Sequence, residues 1–390
     1  MKSTLLLITL LARTIHAEVG WETIQLDPLF YSEGGTIIDI DKDGKMDVVS
    51  GPFWYAGPDF KTRHEIYPPQ AIPPVGYSEV FLMYAPDING DGWSDLLIYG
   101  WPGKQAWWLE NPKGGKEHWK SHPIMDGADG ESPAWADLTG DGKPEAVYAH
   151  KGSFGYASPP ADPTQPWNFT AVTPPDASVQ RYTHGLGIGD VDRDGKPDLL
   201  DRRGWWKNPA AAGGEWKLNP INFNSNGGAQ MFVHDFNGDG KNDILNVSDP
   251  HAYGLSWFEQ TAEGWTEHRI LTKEAATSAG ELVVSQLHGV ELLDVDGDGE
   301  KDIITGKRWW AHSPKPDGTG GDPGGNDPAL LFWIKVIREG GNVKFEPKVI
   351  HGDSGVGLRV PTGDLNGDGL PDVLTASKKG TLIHVQKPRP

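Results

Sequence analysis

A chain of 390 residues with 51 Gly and 32 Pro is rich in turns, yet neither residue is periodic, which excludes a collagen-like rod. It has no Cys, so disulfides, thiolate metal sites and cysteine nucleophiles are excluded. A formal charge of −19 argues against a nucleic-acid partner, whose phosphates need a basic surface, and no apolar run reaches the roughly 18–20 residues that span a bilayer.

The chain opens on Met1-Lys2, an apolar stretch from Leu5 to Leu11 and the tripeptide Ile15-His16-Ala17. This pattern predicts a secretory signal over residues 1–17 and a single mature domain over 18–390, secreted or periplasmic. An exported chain without disulfides needs another source of stability, and bound metal ions supply one.

One pattern then recurs seven times: Asp-x-Asp/Asn-x-Asp-Gly-x-x-Asp, beginning at Asp39, Asp87, Asp137, Asp190, Asp235, Asp294 and Asp364. The spacings are 48, 50, 53, 45, 59 and 70 residues, the period of propeller blades once insertions such as Lys315 to Pro328 are set aside as surface loops. Short β-branched runs flank each motif, for example Thr36-Ile37-Ile38 before Asp39 and Val48-Val49 after Asp47. A third run carries aromatics (Phe53-Trp54-Tyr55, Trp107-Trp108, Trp205-Trp206, Trp257-Phe258, Phe332-Trp333), and a fourth reads like Arg63-His64-Glu65-Ile66. No stretch beyond the leader has convincing helical periodicity. The predicted fold is all-β, a seven-bladed β-propeller with four strands per repeat. The last repeat runs out of chain before a fourth strand, and Trp21 to Leu26 looks like the missing one. The N-terminal strand is therefore expected to close the ring and remove the open sheet edge; an open or eight-bladed arrangement is the alternative. The paired tryptophans, Trp309-Trp310 included, read mainly as packing between blades.

The acidic motifs predict calcium loops. Carboxylates at positions 1, 3 and 5 converge on one ion when the backbone wraps around it, Gly at 6 permits the sharp turn, and a carbonyl at 7 with an acid at 9 completes an oxygen cage. In the first loop these are Asp39, Asp41, Asp43 and Asp47; in the second Asp87, Asn89, Asp91 and Asp95; in the third Asp137, Thr139, Asp141 and Glu145. The fourth uses Asp190, Asp192, Asp194 and Asp198; the fifth Asp235, Asn237, Asp239 and Asp243. The sixth uses Asp294, Asp296, Asp298 and Asp302, and the seventh Asp364, Asn366, Asp368 and Asp372. Position 12 of the first loop is Ser50, where a helical calcium hand has Glu, so these are calcium loops between strands. These positions hold 24 of the 54 acids, leaving 30 against 35 Lys and Arg, so the net acidity lies entirely in the loops. The loops at Asp39, Asp190 and Asp294 are richest and the third is weakest.

These motifs resemble those of FG-GAP/VCBS repeat proteins, secreted β-propellers that include the integrin α head. The resemblance runs from about Trp21 to Gln386, although the Phe-Gly part of the repeat survives only as Phe154-Gly155. It implies the propeller and the calcium and leaves function open.

In this strand order the opposite face gathers the start of each first strand and each loop between strands two and three. Five to eight residues before the motifs lie Glu33, Glu79, Glu131, His184, Gln230, His288 and Arg359. The facing loops add Trp101, Lys104, His150, Lys151, Arg202, Arg203, His251, Lys307 and Arg308. Such a mouth suits a polar carbohydrate ligand, with aromatic faces for the ring and charged groups for hydroxyls or carboxylates. His184, His288, Glu131, Glu33 and Arg359 are the candidate catalytic residues: a His or Glu removes a proton beside a carbonyl, and Arg or a metal stabilises the enolate. His184 and His288, both six residues before their Asp, could hold a second metal such as zinc with Glu131 or Glu33. His234, adjacent to Asp235, reads as structural. His-Gly-Leu-Gly-Ile-Gly-Asp at 184–190 and Gly-Trp-Trp at 204–206 resemble the propeller domain of the aldos-2-ulose dehydratases. That resemblance implies dehydration of keto-sugars by proton abstraction; that family's cupin domains are absent here. The expected function is a lyase or dehydratase acting on an oxidised sugar, with a non-catalytic glycan- or protein-binding propeller as the alternative.

Overall fold

The computed structural model describes residues 19–388 except 210, 212, 224–227, 316 and 318. The expected leader lies outside the described residues. The described chain is all-β; its only helical segments are the 3₁₀ turns Ala275–Thr277 and Ala279–Glu281. No helix among the described residues is long and apolar enough to cross a membrane.

Each acidic motif stands between two antiparallel strands, as the flanking β-branched runs require. Gly35–Ile38 pairs with Asp47–Ser50, which pairs with Phe53–Ala56 and then Thr62–Glu65. The same order recurs after Asp235: Gln230–His234, Asp243–Asn246, Leu255–Gln260 and Trp265–Leu271. Sheets are joined where a strand serves two neighbours. Lys120–Ala136 pairs through its first half with Lys104–Glu110 and through its second half with Glu145–His150. Leu186 and Gly187 pair in parallel with Gln230 and Met231. Gly20–Asp27 lies antiparallel to Gly380–Lys387, from Gly20 opposite Lys387 to Asp27 opposite Thr381.

Backbone bonds tie the starts of the first strands together. Glu33 N–H donates to Val80 O, Glu131 N–H to Thr183 O, Gly185 N–H to Ala229 O, and Leu358 N–H to Glu33 O, all at 3.0–3.1 Å. The last of these joins the seventh repeat to the first. Gly357 is required there, because a Cβ would lie 2.0 Å from the Glu33 carbonyl oxygen.

The apolar sides of the strands pack between neighbouring repeats, for example Leu97, Tyr99 and Trp108 with Ala146 and Tyr148. Third-strand tryptophans stack on fourth-strand histidines: Trp54 on His64, Trp108 on His122 and Trp257 on His268, with centroids 4.1–4.5 Å apart. Burial of such rings supplies much of the hydrophobic stabilisation. Trp309-Trp310 departs from this pattern. The pair follows the strand Asp302–Lys307 as a turn, and the third strand of that repeat is Leu331–Glu339, because the intervening insertion delays it.

Candidate active site

The seven acidic loops adopt one geometry. The Gly at position 6 has φ between +83° and +92° in every loop, a left-handed conformation that favours glycine. Its N–H donates to the carboxylate at position 1, as Gly44 does to Asp39 at 3.0 Å and Gly369 to Asp364 at 2.8 Å. The acid at position 9 is buried and accepts the N–H of position 2, at 2.9 Å for Asp47 and Ile40 and 2.7 Å for Asp372 and Leu365. Its second oxygen usually accepts an N–H from the next strand, as with Gly57 to Asp47 at 2.8 Å. This acid therefore ties the loop to the sheet, a role beyond cage formation. Burial raises the Asp47 carboxyl to about 6 and that of Asp302 to about 7. Asp39, Asp41 and Asp43 offer oxygens within 4.8 Å of one another, and one Asp39 oxygen is buried without a hydrogen-bond partner. That donor set fits a hard divalent cation.

At the other ends of the first strands lies a second cluster. Glu33, Glu131, His184 and His288 each stand six residues before their Asp, and backbone bonds at Glu33, Glu131 and Gly185 tie three of these positions to the neighbouring repeats. Arg308, on the turn after Asp302–Lys307, reaches into the layer and is 3% exposed. Its guanidinium pairs with Glu33 Oε2 at 2.5 Å and Glu131 Oε2 at 3.1 Å, and its Nη1 is 3.3 Å from His288 Nε2. His184 Nε2 is 3.5 Å from Glu131 Oε2.

The imidazoles are oriented from behind. His288 Nδ1–H donates to the Gln286 carbonyl at 3.2 Å, which leaves Nε2 as the lone-pair nitrogen. His251 Nδ1–H donates to Asp322 Oδ2 at 3.1 Å. His312 Nδ1–H donates to the other Asp322 oxygen at 2.8 Å, and its ring stacks on His251 at 4.2 Å. Glu131, His184, His251 and His288 offer ligand atoms within 4.8 Å of one another. His184 Nε2 is buried with no hydrogen-bond partner. Imidazoles whose outer nitrogens are fixed by a carboxylate or a carbonyl are the arrangement a transition-metal site requires, so the residues fit a divalent ion. Arg308 competes for His288 Nε2 and would have to release it.

The charges divide the site. Burial alone would raise Glu131, but the neighbouring His184 and Arg308 bring it down to about 2. Burial, reinforced by Arg308, holds His288 well below the ordinary histidine range. The bond to Asp322 raises His312. Lys378, beside the cluster with its Nζ 2.8 Å from Trp310 O, is lowered to about 8 by burial.

The sequence reading of the mouth is corrected in part. Glu33, Glu131, His184 and His288 come together, joined by His251 and Arg308 from the facing loops. Arg359 does not join them: five residues before Asp364 its side chain points elsewhere, donating to Met83 O at 2.9 Å and lying 4.2 Å over the Tyr84 ring. Glu79 pairs with Lys104 on the exposed side, and Gln230 accepts the Val290 N–H. The period of two explains Arg359 and Gln230, since one residue of register turns a side chain to the other face, whereas Glu79 precedes the strand Leu82–Tyr84 altogether. The Lys315–Pro328 insertion is more than a surface loop. Asp322 holds both histidines, Gly324 O accepts Lys307 Nζ at 2.5 Å, and Asn326 accepts Trp310 Nε1 at 3.1 Å. His312, Asp322 and Lys378 have no repeat register, so the motif spacing could not find them.

FG-GAP-like repeats are matched at residues 87–148 and 235–305, spanning four of the acidic loops. No curated protein matches the sequence. Among solved structures the chain is similar to a lectin of Agrocybe aegerita that recognises non-reducing terminal N-acetylglucosamine, at 16% identity over 95% of this chain and 86% of that one, TM-score 0.48. It is also similar to rhamnogalacturonan lyase YesW, at 13% identity over 94% and 75%, TM-score 0.45. A third is the exotype rhamnogalacturonan lyase YesX, at 13% identity over 95% and 74%, TM-score 0.44. At these identities and scores the likenesses carry no argument about chemistry.

Proposed function

We propose that this chain is a secreted, calcium-stabilised seven-bladed β-propeller that acts on an oxidised sugar as a lyase or dehydratase. The propeller reading is supported by four-stranded repeats around seven motifs, by the Leu358–Glu33 bond and by the pairing of Gly20–Asp27 with Gly380–Lys387 as the closing strand. The site reading is carried by one observation: three imidazoles and Glu131 converge within 4.8 Å beside an imidazole that Asp322 orients.

His184, His251, His288 and Glu131 would hold a divalent ion such as zinc; the sequence expectation was His184 and His288 with Glu131 or Glu33, and Glu33 is instead paired with Arg308. Such an ion, when bound, polarises a carbonyl oxygen. His312 then serves as acid and base. Its neutral form takes the proton from the carbon beside the carbonyl, the C–H electron pair becomes the new C=C bond, and the C–O bond at the next carbon breaks. The same imidazolium returns its proton to the departing hydroxyl, so the products are an unsaturated carbonyl compound and water. Its raised basicity helps the first transfer. Arg308 fixes Glu33 and Glu131 and keeps positive charge beneath the reacting centre.

A screen of keto-sugars and uronate polymers for the ultraviolet absorbance of an unsaturated product tests this. His312→Ala and Asp322→Asn should each lower turnover by about 100-fold or more, the scale of a lost general base. Full turnover in both variants would remove the proposed base. The non-catalytic glycan-binding reading is favoured by the aromatic ridge beside the site. Tyr77 and Trp101 have centroids 4.4 Å apart, Trp101 and Tyr182 6.0 Å, and Tyr182 is 48% exposed. Saturable glycan binding with no product from any tested sugar would put that reading ahead.

A further inference from the structure

Four of the seven acidic loops divide into two kinds by a residue outside the motif. In six repeats the acid at position 9 accepts an N–H from within or just after the third strand, and the residue just before that donor differs between loops. Those residues are Ala56, Glu110, Lys207, Glu259, Lys335 and Val385. Their charge follows position 3. This holds in four loops: beside Asn89 and Asn237 the neighbours are Glu110 and Glu259, and beside Asp192 and Asp296 they are Lys207 and Lys335, whereas Asp41 and Asn366 have the uncharged Ala56 and Val385. Glu259 Oε1 accepts the Asn237 amide at 3.0 Å.

The two lysines reach the place a cation would take. Lys207 Nζ bridges Asp192 and Asp194, the latter at 2.8 Å. Lys335 Nζ bridges Asp296 and Asp298, the latter at 2.7 Å. Other loop cations do less: Lys45, Lys113, Lys241 and Arg193 (to Asp235 of the fifth loop) each reach one loop acid, from side chains 44–56% exposed, whereas Lys335 is 19% exposed and bridges two. By motif alone the loops at Asp190 and Asp294 carry four acids each, against three for those at Asp87 and Asp235. Counting the adjacent strand residue reverses this, to a net of −3 against −4.

We infer that Lys207 and Lys335 are tethered counter-ions that neutralise the loops at Asp190 and Asp294 from within, so that calcium prefers the loops at Asp39, Asp87 and Asp235. The inference rests on the calcium reading of the motifs and reverses the order that acid content gives. An ammonium bonded to the carboxylates at 3 and 5 excludes a divalent ion by sharing its oxygens and by like charge. Those loops are held together without metal, and the remainder depend on it.

Native mass spectrometry of the full chain across free calcium concentrations tests this, with Lys207→Met, Lys335→Met, the double variant and Lys113→Met as control. The double variant should hold two more calcium ions than wild type at a concentration where each single variant holds one more and Lys113→Met none. An unchanged count in the folded double variant, or an equal gain in the control, overturns the inference. Anomalous scattering from wild-type crystals soaked in a lanthanide ion checks it without any substitution. Loops at Asp39, Asp87 and Asp235 should fill first, and equal early occupancy at Asp190 and Asp294 overturns the inference while leaving the calcium reading intact. No ion at any loop overturns both.

Discussion

Replacing Arg308 by Met would remove a guanidinium that is 3% exposed and pairs with Glu33 and Glu131, themselves 1% and 8% exposed. Removing one member of a buried ion pair costs about 3–5 kcal/mol, because the other charge stays buried without its partner. Two carboxylates lose the same partner here, so about 5 kcal/mol is expected. An unfolding entropy of about 2.1 cal/mol/K per residue over roughly 370 folded residues is about 0.8 kcal/mol/K, so Tm should fall by about 6 °C. The sign of the pH dependence follows from Glu131. Its folded value of about 2 lies below that of an unfolded glutamate, so its interactions stabilise the fold above about pH 4.3 and that contribution is lost as pH falls through about 2. Without Arg308 the Glu131 carboxyl can take up a proton instead. The gap between variant and wild type should be widest at pH 7 and narrow toward pH 3, read by calorimetric melting at both. Equal melting at pH 7, or a gap that widens in acid, would refute the claim that Arg308 holds the two glutamates as buried carboxylates.

Calcium removal should lower Tm markedly, since each site contributes about 2.7 kcal/mol at 100-fold saturation; an unchanged melting curve after verified metal removal would count against the calcium loops. His384 is buried between the Thr23 and Thr375 hydroxyls, and burial lowers it to about 3. Its folded value lies below the unfolded one, so it costs stability at about 1.4 kcal/mol per pH unit as pH falls below about 6.5. His384→Gln should flatten that acid limb in denaturant titrations, and an unaltered slope would show that His384 is not held neutral. Deleting residues 20–27 leaves Gly380–Lys387 as an unpaired edge, which should produce concentration-dependent association in sedimentation; a monodisperse deletion variant would argue against the closing role.

The motif fixes the loops locally. An Asp at position 1, a Gly able to take φ near +86° at position 6 and an acid at position 9 make their bonds within the loop or to the adjoining strand, so Asp39 to Asp47 could be read directly. The all-β character and the six-residue register of Glu33, Glu131, His184 and His288 were legible for the same reason, as both follow from short-range periodicity. Arg359 was misplaced because one residue of strand register reverses a side chain, and no local signal separates five from six positions. Tertiary structure alone decided that Arg308 joins Glu33 to Glu131, residues 275 and 177 positions away, and that Asp322 of an irregular insertion orients His251 and His312. It also decided that Lys207 and Lys335 lie against the acids of their loops. Those contacts depend on which strands become neighbours and how an insertion folds back, and that is set by the packing of the whole chain.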